Sequence, residues 1–250
     1  MPPRYEVIGI EGLPEINQGD DLGRLIADAA ARQGTPLVGR DLLVVSQKII
    51  SKSEGRMVRL SDVIPSPAAR AIAAEIERDP RLTEVILGES RRIVRKDKGV
   101  LIVETHHGFV CANAGVDQSN VDADTACLLP EDSDRSARAL RDRLRNLTGH
   151  ALAIVVADTF GRPWREGLTN VAVGLAGFLP LKSYLGELDP AGHVLQATII
   201  ALADELASAA EPAMGKLDRI PVAIIRGLDW DAAEGSSQAL LRDPARDLFR

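Results

Sequence analysis

The sequence is poor in aromatic residues: phenylalanine, tyrosine and tryptophan make up 3% of its 250 residues. That argues against a surface that binds nucleic acid by stacking bases on rings. It also lacks positive charge, since 30 lysines and arginines face 36 acids and leave a net charge of -6. A duplex-binding protein needs the opposite sign. There are only two cysteines, Cys111 and Cys127, which fits a reducing cytoplasm better than a disulfide framework. The longest clean apolar run is residues 151–157, far short of the roughly 20 residues that span a membrane. The N-terminal Met-Pro-Pro-Arg-Tyr-Glu reaches charge before any apolar segment, unlike a secretory signal. The expectation is a cytoplasmic protein that partners neither nucleic acid nor membrane.

Standard nucleotide signatures are missing too. Gly215-Lys216 has no upstream glycine at phosphate-loop spacing and runs into Leu217. Neither a Gly-x-Gly-x-x-Gly turn nor a Gly-x-Ser-x-Gly elbow is present. Any phosphate chemistry therefore needs another local pocket, helped by metal.

What is present supports a sizeable core, with 45% hydrophobic and 26% charged residues. Brief Val- and Ile-rich runs predict strands over residues 5–10, 42–46, 92–94, 100–104, 109–112, 151–157, 170–175 and 222–226. Caps announce helices. Asp20 and Asp21 precede an apolar stripe stopped by Gly34, and Ser66-Pro67 and Asp79-Pro80 each open another. Ser133 opens a helix ending at Gly149, and residues 196–211 predict one more, with Pro212 beyond it. No internal repeat or low-complexity linker splits the chain, so a mixed α+β fold is expected.

Four clusters interrupt apolar runs with glycine and polar groups. Gly12-Leu13-Pro14-Glu15-Ile16 follows the first strand and on its own is an ordinary tight turn. Residues 46–56 include Ser46, Gln47, Lys48, Lys52 and Arg56. Amides at a helix start with lysine charge nearby suit phosphate oxygens, though a solvated basic turn reads the same. Residues 106–120 carry two histidines, then Asn113-Ala114-Gly115, then Asp117 and Asn120 three apart. Asp117 is a hard-cation ligand and Asn120 a ligand-orienting amide. The cysteine spacing is wrong for zinc, which leaves packed thiols. Residues 157–170 place Asp158 and Thr159 at the predicted end of a buried strand, with Arg162, Trp164 and Arg165 following. Strand ends are where α/β proteins place ligand chemistry, and arginines suit phosphate or carboxylate. A fifth stretch, Met214-Gly215-Lys216-Leu217-Asp218-Arg219-Ile220-Pro221, links the last helix to the last strong strand.

The strings His107-Gly108-Phe109-Val110-Cys111-Ala112-Asn113-Ala114-Gly115-Val116-Asp117, with Ser119-Asn120, and Ala157-Asp158-Thr159-Phe160-Gly161-Arg162-Pro163-Trp164-Arg165 resemble the coenzyme F-420-0:L-glutamate ligase family. The turn at residues 12–16 and the segment 46–56 look like that family's remaining motifs, so the resemblance covers about residues 5–228.

The resemblance implies a single ligase domain over residues 1–250 with no reductase-like extension. It implies an unusual α+β fold, neither Rossmann nor P-loop, in two lobes that form an intertwined homodimer. The implied reaction uses GTP, Mg2+ or Mn2+, and K+ to join L-glutamate to the lactyl carboxylate of F-420-0, with further glutamates possible. Asp117, Asp158 and Thr159 would bind metal. Leu13, Pro14, Glu15, Ile16, Ser46, Gln47, Lys52 and Asn120 would contact the nucleotide, as would Met214, Gly215, Lys216, Leu217, Asp218, Arg219, Ile220 and Pro221. An acyl phosphate would form before the glutamate amine attacks, with Arg162 and Arg165 as electrostatic supports. His107 reads equally as a base for that amine or as a structural histidine. Where some relatives carry an acidic or amide ligand this chain has Lys216, whose ammonium is expected to neutralise phosphate charge instead. Competing readings are a same-scaffold ligase for another phosphorylated acid, a metal-dependent GTP phosphohydrolase and a non-catalytic nucleotide-binding module.

Overall fold

Apolar periodicity and side-chain caps set the order of elements. Strand β1 (Glu6–Gly9) leads to helix α1 (Leu22–Arg32), capped by Asp21. Strand β2 (Leu42–Ser46), apolar up to its last residue, runs straight into α2 (Gln47–Ser53) and then β3 (Met57–Arg59). Helices α3 (Pro67–Ile76) and α4 (Pro80–Gly88) start at the caps Ser66 and Asp79, each with proline in the first turn. Strands β4 (Ser90–Asp97), β5 (Val100–Thr105), β6 (Val110–Ala112) and β7 (Thr125–Cys127) precede α5 (Ser133–Thr148). Long strands β8 (Ala153–Arg162) and β9 (Arg165–Ala176), short strands β10 (Lys182–Ser183) and β11 (Ile199–Ile200), α6 (Leu202–Met214) and β12 (Val222–Arg226) complete the order. These come from a computed structural model describing residues 4–247, so the first three residues of the N-terminal reading lie outside it.

The main sheet has the order β1-β12-β2-β8-β9. Only β2 and β8 pair in parallel, with Ser46 opposite Ala157. On one face, Ile26 and Ala30 of α1 and Leu140 and Leu144 of α5 pack on Leu43, Val45, Ile154 and Val156. On the other, Leu206, Ala207 and Ala210 of α6 pack on Leu42, Val44, Val155 and Ala157. A third cluster, separate from both, joins Ile76, Leu82 and Ile86 of α3 and α4 to Leu101 and Val103 of the β4-β5-β6 sheet. The fold is therefore mixed α+β, with several sheets.

Gly174 of β9 is required by a close approach. A Cβ there would lie 2.5 Å from the backbone of Ser133, so glycine lets the start of α5 rest directly on the sheet.

Three expectations need correction. The strand ending at residue 157 does not end there, because β8 continues to Arg162 and forms a hairpin with β9. Its outer part leaves the core, is exposed and carries Gly161 and Gly167, so it loses the apolar signal that marks a strand. The helix placed at residues 196–211 starts instead at Leu202, since Ile199 and Ile200 pair with Ser183 and Lys182. Pro212 lies inside α6, in its last turn, where it removes only one backbone donor. The β3–β7 ribbon and the β10–β11 pair escaped the sequence reading, being two or three residues long per strand.

Candidate active site

The parallel pairing of β2 with β8 builds the site. It puts Ser46 beside Ala157, so that Lys48, two residues on in α2, and Asp158, one residue on in β8, share the same end of the sheet. Along β8 side chains alternate between faces. Val156 and Phe160 pack in the α1/α5-side core, so Asp158 between them looks the same way. Thr159 looks toward α6. Its hydroxyl donates to Asn170 Oδ1 at 2.7 Å and accepts from Lys216 Nζ. Asn170 Nδ2 donates to Glu211 Oε2 at 2.6 Å.

Asp117 reaches this end from the loop before β7, held by backbone pairing with Cys127. Lys48 Nζ donates to Asp117 Oδ2 at 2.7 Å, to Ser119 O at 2.7 Å and to Ser119 Oγ at 2.8 Å. Ser119 returns its backbone N–H to Asp117 Oδ1 at 2.7 Å and its hydroxyl to Oδ2 at 2.8 Å. Burial pushes the Asp117 carboxyl up, but the Lys48 and Ser119 bonds and the Lys48 charge together outweigh it, so Asp117 stays below the usual carboxylate range.

Asp158 has the opposite fate. Burial pushes its carboxyl up to about 6, the Thr159 backbone bond pulls back, and the Asp117 charge adds to the rise despite Lys216 and Lys48. The charge of Asp117 thus opposes ionisation of Asp158, although a Lys48 bond at 2.7 Å already serves Asp117. Among the described residues Asp158 makes no ion pair, and Lys216 and Lys48 offset its burial only in part, an electrostatic condition that a divalent ion relieves. Among the described residues no group of three or more His, Cys, Asp or Glu side chains could hold a metal ion. An ion gripped by these two carboxylates would therefore need further oxygens from a ligand, such as a triphosphate. The residues fit a cation that arrives with its nucleotide.

Several nucleotide candidates meet at the same edge. Lys52 Nζ bonds the Glu15 carboxylate and donates to Asn120 O at 3.0 Å, tying residues 13–16, α2 and the 117–120 loop together. Ser46 N–H donates to Pro221 O at 2.8 Å, which brings in residues 214–221. Ile16 and Met214 are buried anchors of their segments, whereas Leu217 is 89% exposed. Gln47 is buried and accepts the Ser51 hydroxyl, so its carbonyl oxygen is turned into the helix.

Arg162 and Arg165 are not brought to the aspartates within this chain. They lie opposite one another at the exposed hairpin tip. Arg162 folds back onto the Glu166 and Gly167 carbonyls. Four residues of strand rise put it about 13 Å from Asp158 along β8.

Both cysteines are buried, and burial is the main cause that raises the Cys111 thiol to about 12 and the Cys127 thiol to about 11. They pack as neutral thiols. Lys48 is the residue the sequence reading left out of the site. It stood inside the basic segment 46–56, and only its contact with a loop 69 positions away singles it out.

Comparison with known proteins yields a consistent set. The F420-0:Gamma-glutamyl ligase family profile matches residues 11–227. The coenzyme F420:L-glutamate ligase of Methanothermobacter thermautotrophicus is 45% identical over 98% of each chain. The same-named proteins of Methanopyrus kandleri and Methanocaldococcus jannaschii are 44% and 40% identical over 99% of this chain and 97% of theirs.

Proposed function

The chain belongs to the F420-0:gamma-glutamyl ligase family of amide-bond-forming enzymes, and from that premise we propose that it joins L-glutamate to the lactyl carboxylate of F420-0, spending GTP. The observation that carries the mechanistic part is Asp158, a half-buried residue whose carboxyl desolvation raises to about 6, with the charge of Asp117 adding to the rise.

A carboxylate does not acylate an amine at neutral pH until one of its oxygens becomes a leaving group. In this reading a carboxylate oxygen of F420-0 attacks the terminal phosphorus of GTP, the bond to GDP breaks and an acyl phosphate forms. The glutamate nitrogen then attacks the acyl carbon, phosphate leaves and the nitrogen gives up a proton. Asp117 and Asp158 would hold a divalent cation, Mg2+ or Mn2+; the Thr159 hydroxyl lies on the other face of β8, held by Asn170 and Lys216, so Thr159 would reach that cation through its backbone carbonyl. Bound there, the cation screens the repulsion between two anionic reactants and stabilises charge on the phosphoryl group. Lys48 keeps Asp117 ionised and orders residues 117–119. Lys52 draws the Glu15 turn and the Asn120 backbone over the same edge. Lys216 offers its ammonium to phosphate oxygens. K+ and pairing of two chains belong to the same reading.

Mass spectrometry of F420-0 incubated with the protein, GTP, Mg2+ and L-glutamate tests it. The expected result is product heavier by one or several glutamyl units, formed only when all components are present. Phosphate release from GTP without F420-0 or glutamate, and no heavier product, would instead make the protein a phosphohydrolase.

A further inference from the structure

A cavity of about 720 Å³ opens on the α1/α5 side of the main sheet, lined in part by Phe109 and Val173. Val173 is the extra residue of a β9 bulge, between the pairs Val156–Gly174 and Ala157–Ala172, so it lies level with the residue before Asp158. Phe109 meets Phe160, two residues after Asp158, edge to face at 6.2 Å.

Four polar groups on this cavity's wall lack partners. Ser133, at the start of α5, is 3% exposed and its hydroxyl bonds nothing. His107 Nδ1 is buried and unpartnered, while Nε2 lies 2.9 Å from Pro130 O. A carbonyl only accepts, so in the neutral ring Nε2 carries the hydrogen and Nδ1 is left as a free acceptor. Arg91 and Arg138 line the same space, and neither makes an ion pair or hydrogen bond among the described residues. The third guanidinium of the wall, Arg56, is already neutralised by Glu89 at 2.8 Å. Acids of the wall are also taken. Glu131 pairs with Arg135, and Asp134 accepts the Leu175 and Ser237 amides and the Ser236 hydroxyl. For the two buried groups, the Ser133 hydroxyl and His107 Nδ1, the lack of a partner is costly and rare in a finished structure; Arg91 is exposed and Arg138 half-buried, so their charge is held in water and available to a ligand. Two free guanidiniums, one free acceptor and one free hydroxyl together describe the complement of a ligand with two carboxylates and one nitrogen donor.

We propose that this cavity is the subsite of the incoming L-glutamate, with Arg91 and Arg138 receiving its two carboxylates, the Ser133 hydroxyl bonding one of them, and His107 Nδ1 facing its amine. The assignment rests on the ligase reading above and locates one of its substrates. As the amine attacks the acyl carbon and phosphate departs, His107 Nδ1 accepts the proton the nitrogen loses. Through Phe109 and Val173 its wall leads toward Asp158, from where the amine would approach the carboxylate being activated, and its volume exceeds one amino acid, leaving room for the acceptor's acidic end.

Steady-state kinetics of Arg138→Gln and Arg91→Gln test the proposal, the latter at an exposed position where folding is not at stake. Loss of a charge-assisted contact should raise the KM for L-glutamate about tenfold to a hundredfold in each, while the KM values for GTP and F420-0 stay within about twofold. His107→Gln should lower kcat about a hundredfold, the usual scale for losing a positioned base. An unchanged glutamate KM in both arginine variants overturns the assignment. A rise confined to the F420-0 KM also overturns it, by giving the cavity to the acceptor. Should the wild-type protein form no glutamylated product, the ligase reading fails by itself. Calorimetric titration with L-glutamate in the presence of GTP and Mg2+ then decides the cavity: heat lost in Arg138→Gln upholds a dicarboxylate site, and no heat with the wild type overturns it.

Discussion

Asp158→Asn is expected to abolish glutamylation and, in the same protein, to raise its stability at pH 8. The loss follows from removing one of the two carboxylates proposed to share a cation. Metal stabilisation of transition-state charge contributes several kcal/mol, so activity should fall by on the order of a thousandfold. The gain follows from the sign of the shift. Folding raises the Asp158 carboxyl from 3.8 to about 6, so between those values the native state holds a proton that the unfolded chain has released. Stability of the metal-free wild type therefore falls as pH climbs through this window, and the full penalty is in place above pH 6. Two units correspond to about 3 kcal/mol. The nearly isosteric amide never ionises and escapes that penalty. Urea unfolding in chelator should show the variant more stable by up to about 3 kcal/mol at pH 8, with the difference vanishing near pH 4. Equal stabilities at pH 8 would contradict the burial argument.

Asp41→Ala is expected to have the largest effect on stability alone. Asp41 directly precedes β2 and is 1% exposed. It receives the Arg226 guanidinium through two bonds, at 2.9 and 2.7 Å, and the Val38 amide at 2.9 Å. This clamp locks β2 to β12 at the end of the sheet opposite Ser46. Removing the carboxylate leaves a partly buried guanidinium and an amide unanswered, which costs about 3–5 kcal/mol. Urea midpoints should report that loss, while KM values for GTP and glutamate, measured where the variant is folded, remain those of the wild type. A change in either KM would mean that the clamp communicates with the site.

How much of this was legible depended on how local the physics was. Strands β2 and β12 lie in the middle of the sheet with both faces covered. They read as continuous apolar runs, and their expected limits, residues 42–46 and 222–226, coincide with the observed ones. The caps Asp21, Ser66 and Asp79 act within three residues of themselves and were equally plain. The outer half of the β8–β9 hairpin was not, because it pairs without burying anything. Asp117 and Asp158 stood out as acids flanked by glycine and apolar strands, but their mutual approach depends on the parallel register of β2 with β8 and on the Asp117–Cys127 bridge. No local pattern encodes either. The same holds for Lys48, whose partners are distant in sequence, and for Ser133 and Arg138, which look like ordinary residues of an amphipathic helix. What marks them is an unfilled hydrogen bond or an unpaired charge, a property of packing alone.

The central claim is that Asp117 and Asp158 grip one divalent cation together. Titration of Mn2+ into the GTP-bound protein, followed by the electron paramagnetic resonance of the free ion, measures that grip directly. One tightly held ion in the wild type, weakened at least tenfold by Asp117→Asn and again by Asp158→Asn when each is made alone, is the result this account predicts. Mn2+ affinity within twofold of the wild type in either variant would contradict it.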